Sequence, residues 1–150
     1  MIDDVWQSPV SFSPGGKRFA FVREHPKEQY GAMMIADADG NNERQVAMRK
    51  VPDHFGRVAW SPDGKLIACV VQTTDAAGYF ENVIGIATDG GRLVPISSQR
   101  WTMVSHISWL ADMTALVITA RDQIGSLPLK IWWISFPEGS ARRITNDFSG

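Results

Sequence analysis

The feature that most constrains this chain is an internal repeat. The segment Phe12-Ser13-Pro14-Gly15-Gly16-Lys17-Arg18-Phe19-Ala20-Phe21-Val22 returns as Trp60-Ser61-Pro62-Asp63-Gly64-Lys65-Leu66-Ile67-Ala68-Cys69-Val70. A weaker third copy runs from Trp109 to Thr119. The opening aromatic recurs at positions 12, 60 and 109, at intervals of 48 and 49 residues. A second block follows in each copy: Met33 to Gly40, Val83 to Gly90, and Ile131 to Gly139. Each is trailed by a short segment: Arg44-Gln45-Val46, Leu93-Val94-Pro95-Ile96, and Arg143-Ile144-Thr145. Blocks that keep their order and spacing mark an architecture in which each unit buries its apolar faces against the next.

Each repeat reads as four strands. Strand a ends at the aromatic (Val10 to Phe12, Val58 to Trp60, Ile107 to Trp109), b follows the Ser-Pro-x-Gly turn, c is the second apolar run, and d is the short segment after it. Short runs of β-branched and aromatic residues bounded by Gly, Pro and Asp are strand signals, and no segment keeps a capped helical period. The runs Ala115-Leu116-Val117-Ile118 and Ile131-Trp132-Trp133-Ile134 have no polar face. A sandwich strand exposes one side and alternates, whereas a propeller blade is covered on both. The fold class is therefore all-β, with three four-stranded antiparallel blades of a β-propeller at residues 5–48, 53–98 and 102–147.

The turns agree with this reading. In Ser61-Pro62-Asp63-Gly64 the proline presets φ and the glycine accepts a positive φ. The third copy has Ala111 for Pro and Met113 for Gly, so its turn is expected to be the least regular. A left-handed Met113 would cost about 1 kcal/mol.

Composition narrows the function. Hydrophobic residues make up 44% of the chain and charged residues 21%, and the net charge is −1 with no long basic run. That excludes a phosphate-tracking nucleic-acid surface. No apolar stretch is long enough to span a bilayer, and Met1-Ile2-Asp3-Asp4 is not a signal-peptide start. Cys69 is the only cysteine and sits in the run Leu66 to Val71, where it reads as a small core hydrophobe.

The pattern Phe-Ser-Pro-x-Gly-Lys-x-x-Ala-Phe, then an apolar strand ending in Asp-Gly, then Arg-x-x-Thr, resembles the TolB-like, WD40-like propeller repeat. Ile35 to Gly40, Ala59 to Lys65, and Ile131-Trp132 with Pro137 to Asp147 are also similar to the C-terminal propeller of bacterial eukaryotic-like serine/threonine kinases. That similarity implies a non-catalytic sensor or interaction domain of a larger signalling protein, with an extracytoplasmic location. The chain itself has no Gly-rich phosphate loop, His-Arg-Asp or Asp-Phe-Gly.

Propellers usually close with about four to eight blades, so three form an open arc. If each open end showed roughly 500 Å² of apolar surface, leaving it wet would forgo about 12 kcal/mol per face. The expected partners are therefore other blades, either from missing parts of a longer chain or from a second copy that closes a six-bladed dimer.

Up-and-down topology puts the tight a–b and c–d turns at one end of the disc. Longer segments lie at the other: Arg23 to Tyr30, Thr73 to Glu81, Ala120 to Pro128, Met48 to Arg57 and Ser97 to His106. That end is the expected binding face. Arg57 and His106 share one repeat position just before strand a, and Trp101, Tyr30, Tyr79 and Arg121 are placed on the surrounding loops as ligand- or partner-binding candidates. No catalytic residues and no metal or cofactor site are expected. Asp37 to Glu43 places its glycine too early for an EF-hand, and the histidines at 25, 54 and 106 lack ligand spacing. A Ser105/His106/Asp53 triad has no nucleophile motif to support it.

Three functions compete on this reading. The leading one is a non-enzymatic module that binds a protein, peptide or glycan. The second is the accessory gating propeller of a prolyl-oligopeptidase-type peptidase, whose Gly-x-Ser-x-Gly this chain lacks. The third is a sugar lyase with metal-binding histidines at the funnel.

Overall fold

A computed structural model describes residues 9–122 and 128–144. The expected blade ends at 5–8 and 145–147, and much of the loop from Ala120 to Pro128, lie outside the described residues. Among the described residues, twelve strands form three separate four-stranded antiparallel sheets. Blade one contains β1 (Ser11–Phe12), β2 (Arg18–His25), β3 (Tyr30–Asp37) and β4 (Arg44–Lys50). Blade two contains β5 (His54–Trp60), β6 (Leu66–Asp75), β7 (Gly78–Ala87) and β8 (Leu93–Pro95). Blade three contains β9 (Met103–Trp109), β10 (Ala115–Arg121), β11 (Lys130–Ser135) and β12 (Ala141–Arg143). Each blade runs in simple up-and-down order, and the first strands of successive blades touch one another. Among the described residues there is no helix, and so none that could cross a membrane.

The continuous apolar runs are explained by burial on two faces. Ile67, Cys69 and Val71 of β6 join Ala20, Val22, Met33 and Ile35 of blade one in one core. Their neighbours Leu66, Ala68 and Val70 turn the other way and join Leu116, Ile118, Ala120, Trp132 and Ile134 of blade three. A fully buried aliphatic side chain of this kind contributes about 1.5–3 kcal/mol, so these two inter-blade cores hold the arc together. Burial of Cys69 pushes its thiol up to about 12, so it behaves as a core hydrophobe.

Polar links add direction. The Ser11 hydroxyl accepts the N–H of Trp60 at 2.9 Å, and Trp109 Nε1–H donates to the Ala59 carbonyl at 3.0 Å. At the rim, Gly91 (φ +71°) in the β7–β8 turn lies against Val46 of blade one. Gly139 (φ +80°) in the β11–β12 turn lies in the same way against Ile96 of blade two.

Two expectations need correction, and one holds in part. Several segments taken as loops are strand: β6 and β7 extend to a turn of only Ala76 and Ala77, and β4 runs on to Lys50. Thr73 pairs with Phe80 and Thr74 with Tyr79, which are strong cross-strand partners, and Asp75 Oδ1 accepts the Ala77 N–H at 2.8 Å to close the turn. The turn at Ala111 to Met113 closes like its counterparts but lacks their serine bond, because Leu110 stands where Ser13 and Ser61 each accept a backbone N–H. Met113 takes the glycine's place at φ +65°, and its N–H donates to the Leu110 carbonyl at 3.1 Å. Finally, the two end faces are unequal. On blade one, Phe21, Ala32, Met34 and Ala36 are buried, and the Arg23 guanidinium lies over Phe21 while pairing with Glu43 at 2.7 Å. Blade three's outward face is open, with Ile131 37% and Ile144 43% exposed.

Candidate functional site

The inner strands of blades two and three are both irregular at the same repeat position. In β5 the ladder passes from Phe55↔Val71 to Val58↔Cys69, leaving Gly56 and Arg57 without ladder partners. In β9 it passes from Val104↔Ala120 to His106↔Thr119, leaving out Ser105. Each is a β-bulge, a device that bends the strand and re-aims a side chain. Between the two bulges lies a cavity of about 380 Å³, whose lining includes Gly56, Arg57, Gln72, Glu81, Met103 and Ser105.

Glu81 forms the floor of this cleft and is 4% exposed. Alternation along β7 turns it, like Val83, toward blade three. Its Oε1 accepts the Tyr79 hydroxyl at 2.6 Å and Gln72 Nε2–H at 3.1 Å, and its Oε2 accepts the Val104 N–H at 2.5 Å. Its backbone pairs with that of Trp101 through bonds of 2.7 and 2.9 Å. Desolvation, and then the bond to Glu81, push the Tyr79 phenol above its ordinary value.

The structure disperses the six residues expected to bind. Arg57 is exposed and lines the cleft. Tyr79 is half exposed in β7 and reaches the cleft through Glu81. His106 is exposed at the matching place on blade three, but its ladder partner Thr119 sits on that blade's outward face. Arg121 shares that face as the last residue of β10, and its carbonyl accepts the Thr102 N–H at 2.7 Å. Tyr30 begins β3 on blade one and stacks on His25 at 4.4 Å. Trp101 is 1% exposed and meets Trp132 edge-on at 5.9 Å, so it is a core residue and presents no binding surface. Arg57 and His106 lie within strand a rather than before it, and Tyr30, Tyr79 and Arg121 lie in strands rather than loops.

The residues missed from sequence are Glu81 and Gln72. The available signal was a carboxylate at a position whose alternation faces the next blade. Ser105, His106 and Asp53 do not form a triad: Ser105 Oγ donates to the Thr119 carbonyl at 3.3 Å, and Asp53 accepts the Thr73 hydroxyl and lies 3.7 Å from Arg49. Among the described residues no group of His, Cys, Asp and Glu gathers around a metal position. The Asp37 to Asn42 segment is a turn held by its own side chains, with Asn42 donating to Asp37 at 2.6 Å.

Comparison with solved structures bears on the architecture. TolB from Acinetobacter baumannii superposes with a TM-score of 0.66 at 15% identity, covering 94% of this chain and 33% of that one. The fold is a TolB-like β-propeller arc. The β-propeller domain of the Trilobed protease from Pyrococcus furiosus matches with a TM-score of 0.56 at 13% identity, over 95% of the arc and 43% of that chain. An oligogalacturonate lyase in complex with manganese matches with a TM-score of 0.64 at 18% identity, over 86% of the arc and 33% of that chain. The arc thus spans less than half the length of each of these solved chains. Prolyl peptidases are among the further matches. No protein-family model matches the chain, and a search of the curated proteins finds no match.

Proposed function

We propose that this chain is a non-enzymatic binding module, part of a larger propeller assembly, that presents the bulged inner edge of its blades to a protein, peptide or glycan. The observation that carries this reading is the cleft between β5 and β9. Two bulges at one repeat position open the junction of two otherwise tightly packed blades and place the exposed Arg57 beside backbone without ladder partners. Rigid strands flanking an irregular, polar concavity suit recognition. The resemblance to kinase-linked propellers supports a signalling setting. The assembly partner is further propeller blades, here a second copy of the chain.

The second reading is an accessory gating propeller of a prolyl-oligopeptidase-type peptidase, which the matches to prolyl peptidases favour. Peptide and glycan arrays probed with the purified chain, run beside peptidase and polysaccharide-lyase turnover assays, separate these readings. Selective retention without turnover, reduced by Arg57→Ala, is the expected result. Turnover by the chain alone, or retention of nothing on any array, overturns the module reading.

A further inference from the structure

The Glu81 carboxylate is buried, yet no arginine, lysine or histidine among the described residues lies within ion-pairing distance of it. Arg57 lines the same cavity without pairing with it. A buried carboxylate is costly unless hydrogen-bonded and matched by opposite charge. Three donors partly satisfy this one: Tyr79 and Gln72 on Oε1, Val104 on Oε2. A carboxylate has about four lone-pair sites, so one remains, on Oε2. The missing elements are a counter-charge and one donor, and the cavity of about 380 Å³ that Glu81 lines is roomy enough to admit them.

Geometry also selects the kind of cation. A guanidinium seeks two parallel acceptors on one carboxylate, and Oε1 is already doubly occupied. An ammonium is a compact point charge that can use the single remaining site. Around it, Arg57 and Ser105 lack ladder partners, and the exposed Arg57 side chain can donate to carbonyl oxygens. A peptide supplies both groups.

We infer that the cleft between blades two and three binds the primary ammonium of a peptide, whether from a lysine side chain or a free amino terminus. The ammonium sits on Glu81 Oε2, and neighbouring peptide carbonyls sit on Arg57 and the bulged backbone. This rests on the binding-module reading and names its ligand class.

The test is a titration of the intact chain, followed through its backbone amide resonances, with four capped tripeptides. Acetyl-Gly-Lys-Gly-amide and Gly-Gly-Gly-amide offer the two sources of ammonium. Acetyl-Gly-Lys(acetyl)-Gly-amide removes the charge, and acetyl-Gly-Arg-Gly-amide replaces it with a guanidinium. One or both ammonium peptides should shift the amides of Gly56, Val104 and Ser105, and the other two should bind at least ten-fold more weakly. Glu81→Gln should lose at least ten-fold in affinity, and Arg57→Ala, at an exposed position, several-fold. The peptide comparison needs no variant, so it holds even if Glu81→Gln fails to fold. Equal binding of the acetylated peptide, or no shift at those amides at millimolar ammonium peptide, overturns the inference. If that happens while the arrays still show selective retention, the module reading stands and only the assigned ligand class falls.

Discussion

Trp109 donates its indole N–H to the carbonyl of Ala59 at 3.0 Å, tying the inner strand of blade three to that of blade two across fifty residues of sequence. Its repeat counterpart Trp60 spends the same N–H inside its own turn, on Gly64 at 3.1 Å. Removing the first bond leaves a buried carbonyl short of a partner, whereas the ring's edge contact with Phe136 at 5.0 Å survives in a phenylalanine. Trp109→Phe should therefore cost about 1–2 kcal/mol. Urea unfolding reads this as a lower midpoint at unchanged slope.

Adjacent glycines in one turn should respond very differently to alanine. A Cβ on Gly91 would lie 1.8 Å from the Val46 carbonyl oxygen, whereas one on Gly90 meets nothing within 4 Å. Both have positive φ, so each substitution carries a conformational cost of about 1 kcal/mol. Only Gly91→Ala also forces blade two's rim away from blade one, and it should destabilise several times more than Gly90→Ala. Similar unfolding midpoints for the two variants would show that the rim contact does not hold the blades.

The turn opening strand b in blade two should leave a mark in acid. The Ser61 hydroxyl donates to Asp63 Oδ1 at 2.6 Å, and the Lys65 N–H adds a bond of 3.0 Å. The Ser61 bond is the main reason the Asp63 carboxyl is held below its ordinary value, against a smaller opposing effect of burial. A carboxylate stabilised in the folded state contributes stability above its unfolded value of about 3.9, and loses it as pH falls through the lower folded value. Titration by carboxyl-carbon resonances should show Asp63 moving up toward the ordinary value in Ser61→Ala. An unchanged Asp63 titration would assign the shift elsewhere.

Met113 shows how much of the fold was legible. Aligning the repeats places it where the other copies carry glycine, and it does adopt a φ of +65° there. The repeat dictates the backbone path strongly enough to override a local penalty, so the turn keeps its shape although Leu110 removes the serine bond that Ser13 and Ser61 make in the other copies. Met113→Gly should accordingly stabilise the chain by about 1 kcal/mol in denaturant unfolding. The hairpin at Asp75 to Gly78 was misread for the opposite reason. Thr73, Thr74 and Glu81 look polar enough for a loop, and only their cross-strand partners, set by the tertiary ladder, make them strand. The cleft was half legible: the equivalence of Arg57 and His106 follows from the period, but which of them meets a neighbour depends on the next blade. Glu81 was hidden because a single charged residue inside an aromatic run carries no motif.

The same dependence on a next blade leads to the assembly. Val83 is fully buried against blade three, but Ile131 at the corresponding position of blade three is 37% exposed. At the other end Phe12 is 59% exposed, whereas its counterpart Trp60, covered by blade one, is 7% exposed. The exposed Phe12 and Ile131 therefore each have a covered counterpart within the arc, a template for a covering blade. If the outward face of blade three in one copy takes the place of a blade preceding Phe12 in another, the contact repeats and closes a two-fold ring. Light scattering at micromolar concentration should give twice the mass of one chain. Trp133→Glu, placed on blade three's outward face opposite Val117, should reduce it to one. A single-chain mass for the unaltered protein would refute closure by a second copy. A dimer unaffected by Trp133→Glu would place the contact on some other surface.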